Sequence, residues 1–426
     1  MRVAFLTTEY PTERYFAGGL ASYLHRVTTA LIEGGHDAEV FTLSHLDERT
    51  RDGFTLVHRV KRQTRFQRLL GKAPYFGRGA GYADVMLPGW NLAAALHRRH
   101  REAPFDVVQA SNYRACGLVA ALWNRIPLVT RISSYEPAMR AMYGKPLTQQ
   151  QRYLEKAEIL QVRWSAATYA PSVLLADMLK VKEALNVRVI EPPFSLEPPP
   201  SGLPPLCEDL TPGGYGLFFG FIGQLKGCDR LVNVLPGLLD RNPELKFVFI
   251  GPTGPISRVE DKGRFDDDIR RKLRAYTDQR VFVLGQQRHP TLLPFVQGAR
   301  FVVLPSRIDN LPNACMEAMA LRRVVIGTYG ASFEQLIEDG INGFLVSQDD
   351  DGDLASCMER VWRMHPQERD RIGDRAVQTL QRMRPEHAIR PLVHLLEGVT
   401  RHPRQRGQRG VSQRLNTLLR FRALMR

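Results

Sequence analysis

Short apolar runs alternate with helix-sized stretches along almost the whole of this chain. Residues 3–7 form the first run. Leu20, Leu24, Val27 and Leu31 then recur at helical spacing, and Gly34 and Gly35 stop the helix. Further runs lie at 38–43, 106–110, 127–132 and 167–170. Runs this short and this apolar suit strands buried on both faces, so the alternation predicts a parallel sheet covered by helices.

The alternation breaks once. Residues 191–214 hold Pro192, Pro193, Pro198, Pro199, Pro200, Pro204, Pro205, Gly213 and Gly214. Proline at that density continues neither a helix nor a central strand. Runs then resume at 217–222, 246–250, 281–284, 301–304 and 324–327, with helical stretches at 229–239, 269–276, 291–298 and 313–321. The expected organisation is a first domain at 1–195, a Pro-rich linker at 196–214 and a second doubly wound α/β domain at 215–380. A C-terminal helix at 381–399, able to cross back to the first domain, and a basic tail at 400–426 complete it.

Several classes are excluded by composition. With 43% hydrophobic and 24% charged residues, the chain has the profile of a globular protein. No apolar run approaches the roughly 18 residues that cross a bilayer. The apolar start at 1–6 ends at Thr7, Thr8, Glu9 and Tyr10, too soon for a secretory leader, and reads as the first strand. Cys116, Cys207, Cys228, Cys315 and Cys357 show no close pairing, which disfavours disulfides and a zinc site and fits a reducing cytoplasm. The formal net charge is +15, and residues 400–426 hold eight arginines and no acid. A second basic stretch carries Arg59, Lys61, Arg62, Arg65, Arg68 and Lys72. Such surfaces attract phosphorylated ligands, anionic lipid or nucleic acid.

Two open α/β domains leave a cleft, and ligands in such sheets bind beyond the carboxyl ends of the strands. The informative residues follow strands. Residues 301–320 read FVVLPSRIDNLPNACMEAMA. A strand ending at Leu304 leads into a loop bearing Asp309; Pro312 suits the first turn of a helix, and Glu317 lies more than one turn inside it. One carboxylate on the loop and one on the helix can face the same cleft and accept hydrogen bonds from sugar hydroxyls, while the helix N-terminus attracts an anion.

This segment resembles the E-x7-E region of the large retaining group called glycosyltransferase family 4, with Asp309 in place of the first Glu and Glu317 as the second. The resemblance implies the GT-B architecture: two facing Rossmann-like domains with an interdomain cleft, the first on the acceptor side and the second on the nucleotide-sugar donor side. It implies that Glu317 binds the ribose hydroxyls and that Asp309 lies against the donor sugar. Asn310, Leu311 and Pro312 of the same loop, and Gly285, join the donor-binding set.

Residues 220–229, GFIGQLKGCD, resemble the family's G-R-L-x-x-x-K-G-x-D segment. Lys226 falls on the phosphate-binding lysine, and an ammonium there offsets charge developing on a diphosphate leaving group. Phe221 stands where the family has an arginine; Arg131, Arg288 and Arg307 are candidate replacement cations. Gly18 and Gly19 open the first helix where the family's Gly-Gly lies near the donor diphosphate, and backbone N–H groups there can approach phosphate closely. The spacing is not G-x-G-x-x-G, so NAD is not inferred. In VTRISSY, 129–135, Ser133 occupies the place of a His that touches the transferring sugar in many relatives. Residues 330–346, GASFEQLIEDGINGFLV, match a further family stretch and predict a helix over 334–340 stopped by Gly340, then a turn at Asn342 and Gly343, with the Gly330 loop near the donor. The resemblance covers about 1–385 and is strongest over 217–346.

The expected activity is retaining transfer of a sugar from a nucleotide-sugar to a hydroxyl acceptor, a glycan or lipid-linked molecule of envelope or polysaccharide assembly. No cofactor and no metal are expected. Asp266–Asp268 and Asp349–Asp351 read as helix caps, and His97, His100 and His289 show no ligand spacing. The tail, where Val411, Leu415, Leu418, Phe421 and Met425 share a helical face, suggests a cytoplasmic protein peripheral to the inner face of an anionic membrane. Nucleic acid is not expected, because aromatics are not interleaved with the basic residues. Phe221, Ser133 and Asp309 keep open a weak or inactive sugar-nucleotide-binding scaffold, whereas the acid-loop-helix motif disfavours an epimerase.

Overall fold

The computed structural model of the protein describes residues 1–13, 18–62, 80–142, 147–196, 199, 210–253 and 264–401, the side chains of 80–85 excepted. The tail beyond Arg401, the basic residues Arg65, Arg68 and Lys72, Cys207 and most of the proline-rich linker lie outside them. The chain forms two compact units: Met1–Ala138, Lys145–Pro193 and Met383–Arg426 make the first, and Met139–Gly144 and Phe194–Arg382 the second. The second unit thus begins before the expected linker ends.

The first unit is built on β1 (Arg2–Thr7), β2 (Asp37–Ser44), β3 (Glu48–Asp52), β4 (Thr55–Lys61), β5 (Val107–Ser111), β6 (Leu128–Arg131), β7 (Ala167–Ala170) and β8 (Arg188–Val189). Their order is β3-β4-β2-β1-β5-β6-β7-β8, parallel throughout except for the β3–β4 hairpin. Alternate residues of β1 serve opposite cores. Val3 and Phe5 pack with Leu24, Val27 and Leu31 of the helix Gly19–Glu33, and Ala4 and Leu6 pack on the other face with Leu92, Leu96 and Leu118. The helix Pro385–Arg401 joins the first core through Ile389, Leu392, Leu395 and Leu396.

A buried carboxylate ties the amino-end edge of this sheet together. Glu39, on β2, has a side chain 6% exposed. It accepts from His58 Nε2 at 2.7 Å and from Arg99 Nε and Nη2 at 3.0 Å each, and it pairs with Arg2. Burial pushes its carboxyl up, but the hydrogen bonds from His58, Arg99 and Arg2 outweigh that and hold it far below the usual carboxylate range. The stabilisation is therefore complete above the unfolded glutamate's value of about 4.3 and is lost as pH falls through the depressed native value. Replacing Glu39 by Gln leaves several donors short of a charged partner and should cost about 3–5 kcal/mol. Urea unfolding at neutral pH measures this, and the loss should shrink as pH falls below about 4.3.

The second unit is built on β9 (Tyr215–Phe219), β10 (Lys246–Ile250), β11 (Val281–Val283), β12 (Phe301–Val303), β13 (Val324–Thr328) and β14 (Phe344–Val346), in the order β11-β10-β9-β12-β13-β14. Every pair is parallel. All residues of β9, β12 and β13 are buried, as expected for strands covered on both faces. The chain is thus a pair of doubly wound α/β units, and among the described residues no helix is long and apolar enough to cross a membrane.

Some expectations are corrected. No helix spans 334–340; a single 3-10 turn, Phe333–Gln335, stands there instead. Side chains take over the backbone partners that a helix would use: Asn342 accepts from the Glu338 N–H and donates to the Leu336 carbonyl, and Asp339 accepts from the Leu345 N–H. The helix expected at 269–276 is Phe265–Lys272, with Asp266, Asp267 and Asp268 in its first turn. Pro312 is not inside the helix Asn313–Ala320 but is the residue that precedes it. Strands β3, β4, β8 and β14 were not foreseen.

Candidate functional site

Strand order in the second sheet reverses between β9 and β12, which makes this the topological switch point, where such sheets hold ligands at their carboxyl ends. The loops that leave these two neighbours carry the sequence-predicted residues. After β9 come Gly220–Gly223, the 3-10 turn Gln224–Lys226 and the helix Cys228–Arg241. After β12 come the loop with Asp309 and the helix Asn313–Ala320.

Arg307 fastens the two loops. Its N–H donates to the Leu225 carbonyl at 2.9 Å and its Nη1 to the Gln224 carbonyl at 2.6 Å. Its two terminal nitrogens hold Asp229 at 2.7 and 2.8 Å. Gly227 completes the seam: its φ is +69°, and a Cβ there would stand 1.9 Å from the Pro305 carbonyl oxygen. No side chain fits.

Across this seam Lys226 forms an ion pair with Asp309. The Asp309 carboxylate also accepts from the Asn310 N–H at 2.9 Å, and its carbonyl accepts from Ser332 Oγ at 2.9 Å. Leu311 and Pro312 are buried. No side chain caps the helix Asn313–Ala320 and no acid lies in its first turn, which favours an anion at that end. Glu317 follows in the same helix, its side chain 12% exposed, with Oε1 lying 3.1 Å from His289 Nε2. Gly285 follows β11 with φ +65°, and its carbonyl accepts from the Gly251 N–H at 2.8 Å.

The candidate cations separate. Arg307 is committed to Asp229 and is a clamp rather than a free charge. Arg288 is exposed and precedes the helix His289–Gly298. Phe221, in the place of the family's arginine, is 45% exposed. Arg131 belongs to the first unit, where it stacks over the Tyr23 ring at 3.8 Å and donates to Ser133 Oγ at 2.8 Å. Ser133 in turn accepts from Ser111 Oγ at 2.8 Å, at the carboxyl ends of β5 and β6.

Gly18 and Gly19 start the helix after β1, itself at the switch point of the first sheet, between β1 and β5. The place beside Gly18 is filled by the Glu9 carboxylate, which a Cβ would meet at 2.5 Å. Burial pushes the Glu9 carboxyl above its usual range, against the pull of Arg62 and Arg114.

His289, Asp229, Ser332 and Glu9 were not singled out as site residues from the sequence, and His289 was read there as ordinary. Of the two aspartate triplets one caps a helix: Asp350 accepts from the N–H groups of Gly352 and Asp353 at 2.8 and 3.0 Å, whereas Asp266, Asp267 and Asp268 lie in the first turn of Phe265–Lys272, whose N-cap, Arg264, makes no side-chain cap. A cavity of about 510 Å³ between Gly19–Glu33 and Pro385–Arg401 involves none of these residues.

Residues 216–364 match the family model for glycosyl transferases group 1, and residues 17–197 match that for Glycosyltransferase Family 4. The alpha-D-kanosaminyltransferase of Streptomyces kanamyceticus is 28% identical over 38% of this chain, a match that spans 39% of that protein's length. The D-inositol 3-phosphate glycosyltransferase of Actinosynnema mirum is 25% identical over 85% of this chain and 87% of its own. The structure of Anabaena HepE in complex with UDP-glucose superposes with a TM-score of 0.66 at 17% identity, covering 93% of this chain and all (100%) of that one, and shows the shared fold.

Proposed function

We propose, given that this chain belongs to the group 1 and Family 4 glycosyltransferases of GT-B fold, that it moves a sugar from a nucleotide-sugar donor to a hydroxyl acceptor with retention of anomeric configuration. The observation that carries the reading is the Lys226–Asp309 pair across the β9–β12 switch point, with Glu317 in the helix that follows. The donor's diphosphate lies against Lys226 and the uncapped start of Asn313–Ala320. Glu317 accepts from the ribose hydroxyls. Asp309 lies against the sugar and orients Lys226. As the bond to the anomeric carbon breaks, Lys226 stabilises the charge that grows on the leaving diphosphate, and that phosphate takes the acceptor proton on the same face. This chemistry requires no metal or cofactor. A fold-mate bound to UDP-glucose supports a nucleotide-sugar as donor.

A thermal-shift panel of UDP-, GDP-, ADP- and TDP-sugars tests the reading. At a hundred times Kd a ligand adds about 2.7 kcal/mol to stability, enough to raise Tm by a few degrees. No shift with any donor counts against it.

One observation favours a second reading, a weak or inactive sugar-nucleotide-binding homologue. Lys226 is paired with Asp309, Arg307 with Asp229, and Phe221 replaces an arginine, so the proposed phosphate site has little excess positive charge. Donor turnover by the purified protein separates the two.

The acceptor is proposed to be a glycan or lipid-linked molecule, met by a cytoplasmic enzyme at an anionic membrane through the arginines of 400–426. Sedimentation with vesicles rich in anionic lipid should bring down the full chain but not a chain ending at residue 399. Equal pelleting sinks the membrane role.

A further inference from the structure

Glu317 is held by a residue to which the donor reading gives no task. His289 Nε2 lies 3.1 Å from Glu317 Oε1, the histidine side chain being 54% exposed and the glutamate 12%. A carboxylate only accepts, so the proton of this hydrogen bond sits on Nε2. The histidine is itself well placed to act as a fixed post. It opens the helix His289–Gly298, and the proline at the start of that helix, Pro290, sets the backbone there. The two helices begin after β11 and β12, so both residues lie at the carboxyl-end edge of the second sheet.

We propose that His289 is a positioning residue for the donor: its Nε2–H fixes the Glu317 carboxylate before the donor arrives and leaves Oε2 for the ribose hydroxyls. The proposal rests on the donor-binding reading of Glu317. A glutamate that swings freely loses side-chain freedom when it grips a ligand, and one already anchored does not. His289 therefore acts on affinity rather than on bond breaking. Its exposure also means that its replacement leaves the core intact.

The test uses the full chain and calorimetric titration with UDP, GDP, ADP and TDP, carrying forward the nucleotide that the wild type binds most tightly. His289→Ala should weaken binding by up to about tenfold, the cost of immobilising one rotamer-rich side chain on binding. In donor hydrolysis the same variant should raise KM for the donor and leave kcat within about twofold. His289→Gln keeps an N–H donor at similar reach and should restore binding to within about threefold of wild type. Unchanged affinity in His289→Ala overturns the inference and leaves the donor reading standing. A loss that His289→Gln does not restore overturns it also, because bulk rather than the donated hydrogen bond would then matter. Failure of the wild type to bind any of the four nucleotides overturns the donor reading, and this inference with it.

Discussion

Glu317→Ala should lower donor-dependent transfer by at least about 100-fold, the equivalent of roughly 2.7 kcal/mol. The size follows from what the carboxylate is asked to do. A ribose offers two adjacent hydroxyls, and hydrogen bonds to a charged acceptor are worth about 1.5–3 kcal/mol each. Glu317 lies in the helix that follows the switch-point loop, and its side chain is 12% exposed, so water competes poorly for it. Because the ribose is bound in both the ground state and the transition state, much of the loss should appear in KM. Glu317→Gln keeps the shape but not the charge, and should fall between wild type and alanine. Global stability should change little, since the partner left behind, His289, is half-exposed and finds water. Steady-state rates with the donor chosen by the thermal-shift panel, beside melting temperatures, measure both. Turnover equal to wild type would remove Glu317 from the site.

The parts of this structure that were legible in the sequence share one property: their signal is local. Runs such as 247–250 and 301–303 are apolar end to end because parallel strands are buried on both faces, and each appears within a strand. Lys226, Asp309 and Glu317 were singled out because the segments that carry them follow such strands and resemble family motifs. What escaped depends on partners far away in the chain. The sequence of β3, ERTRD, has no apolar residue; it is held by antiparallel pairing to β4 and by the Glu48–Arg59 ion pair. The helix expected at 334–340 has helical composition, yet Asn342 and Asp339 recruit its backbone into turns. His289 stands 28 positions from Glu317, and Asp229 stands 78 from Arg307. Neither spacing announces a contact, so Arg307 was read as a spare cation when the fold uses it as a clamp.

That difference bears on what should happen when the phosphate-binding lysine is removed. Lys226→Ala is expected to lower kcat by about 100- to 1,000-fold, the range seen when one preorganised group facing developing charge is lost. No neighbour among the described residues of the second unit is set to replace it from within the seam. Arg307 is held by Asp229 and by the Gln224 carbonyl, and Phe221 carries no charge. The deletion does more than subtract a cation. It leaves Asp309 ionised without its ion-pair partner, facing the same diphosphate, so repulsion adds to the loss. Two consequences follow that a purely structural lysine would not produce. The defect should fall mainly on kcat, because charge on the leaving phosphate grows only as the bond breaks. And adding Asp309→Asn to Lys226→Ala should recover nucleotide binding by a few-fold, since the unpaired acid is gone, making the two changes non-additive. Rates for the two single variants and the double variant, with nucleotide affinity measured for each, provide the cycle. If Lys226→Ala costs less than about tenfold in kcat, or if the double variant shows the simple sum of the single losses, the lysine is not the group that meets the leaving diphosphate.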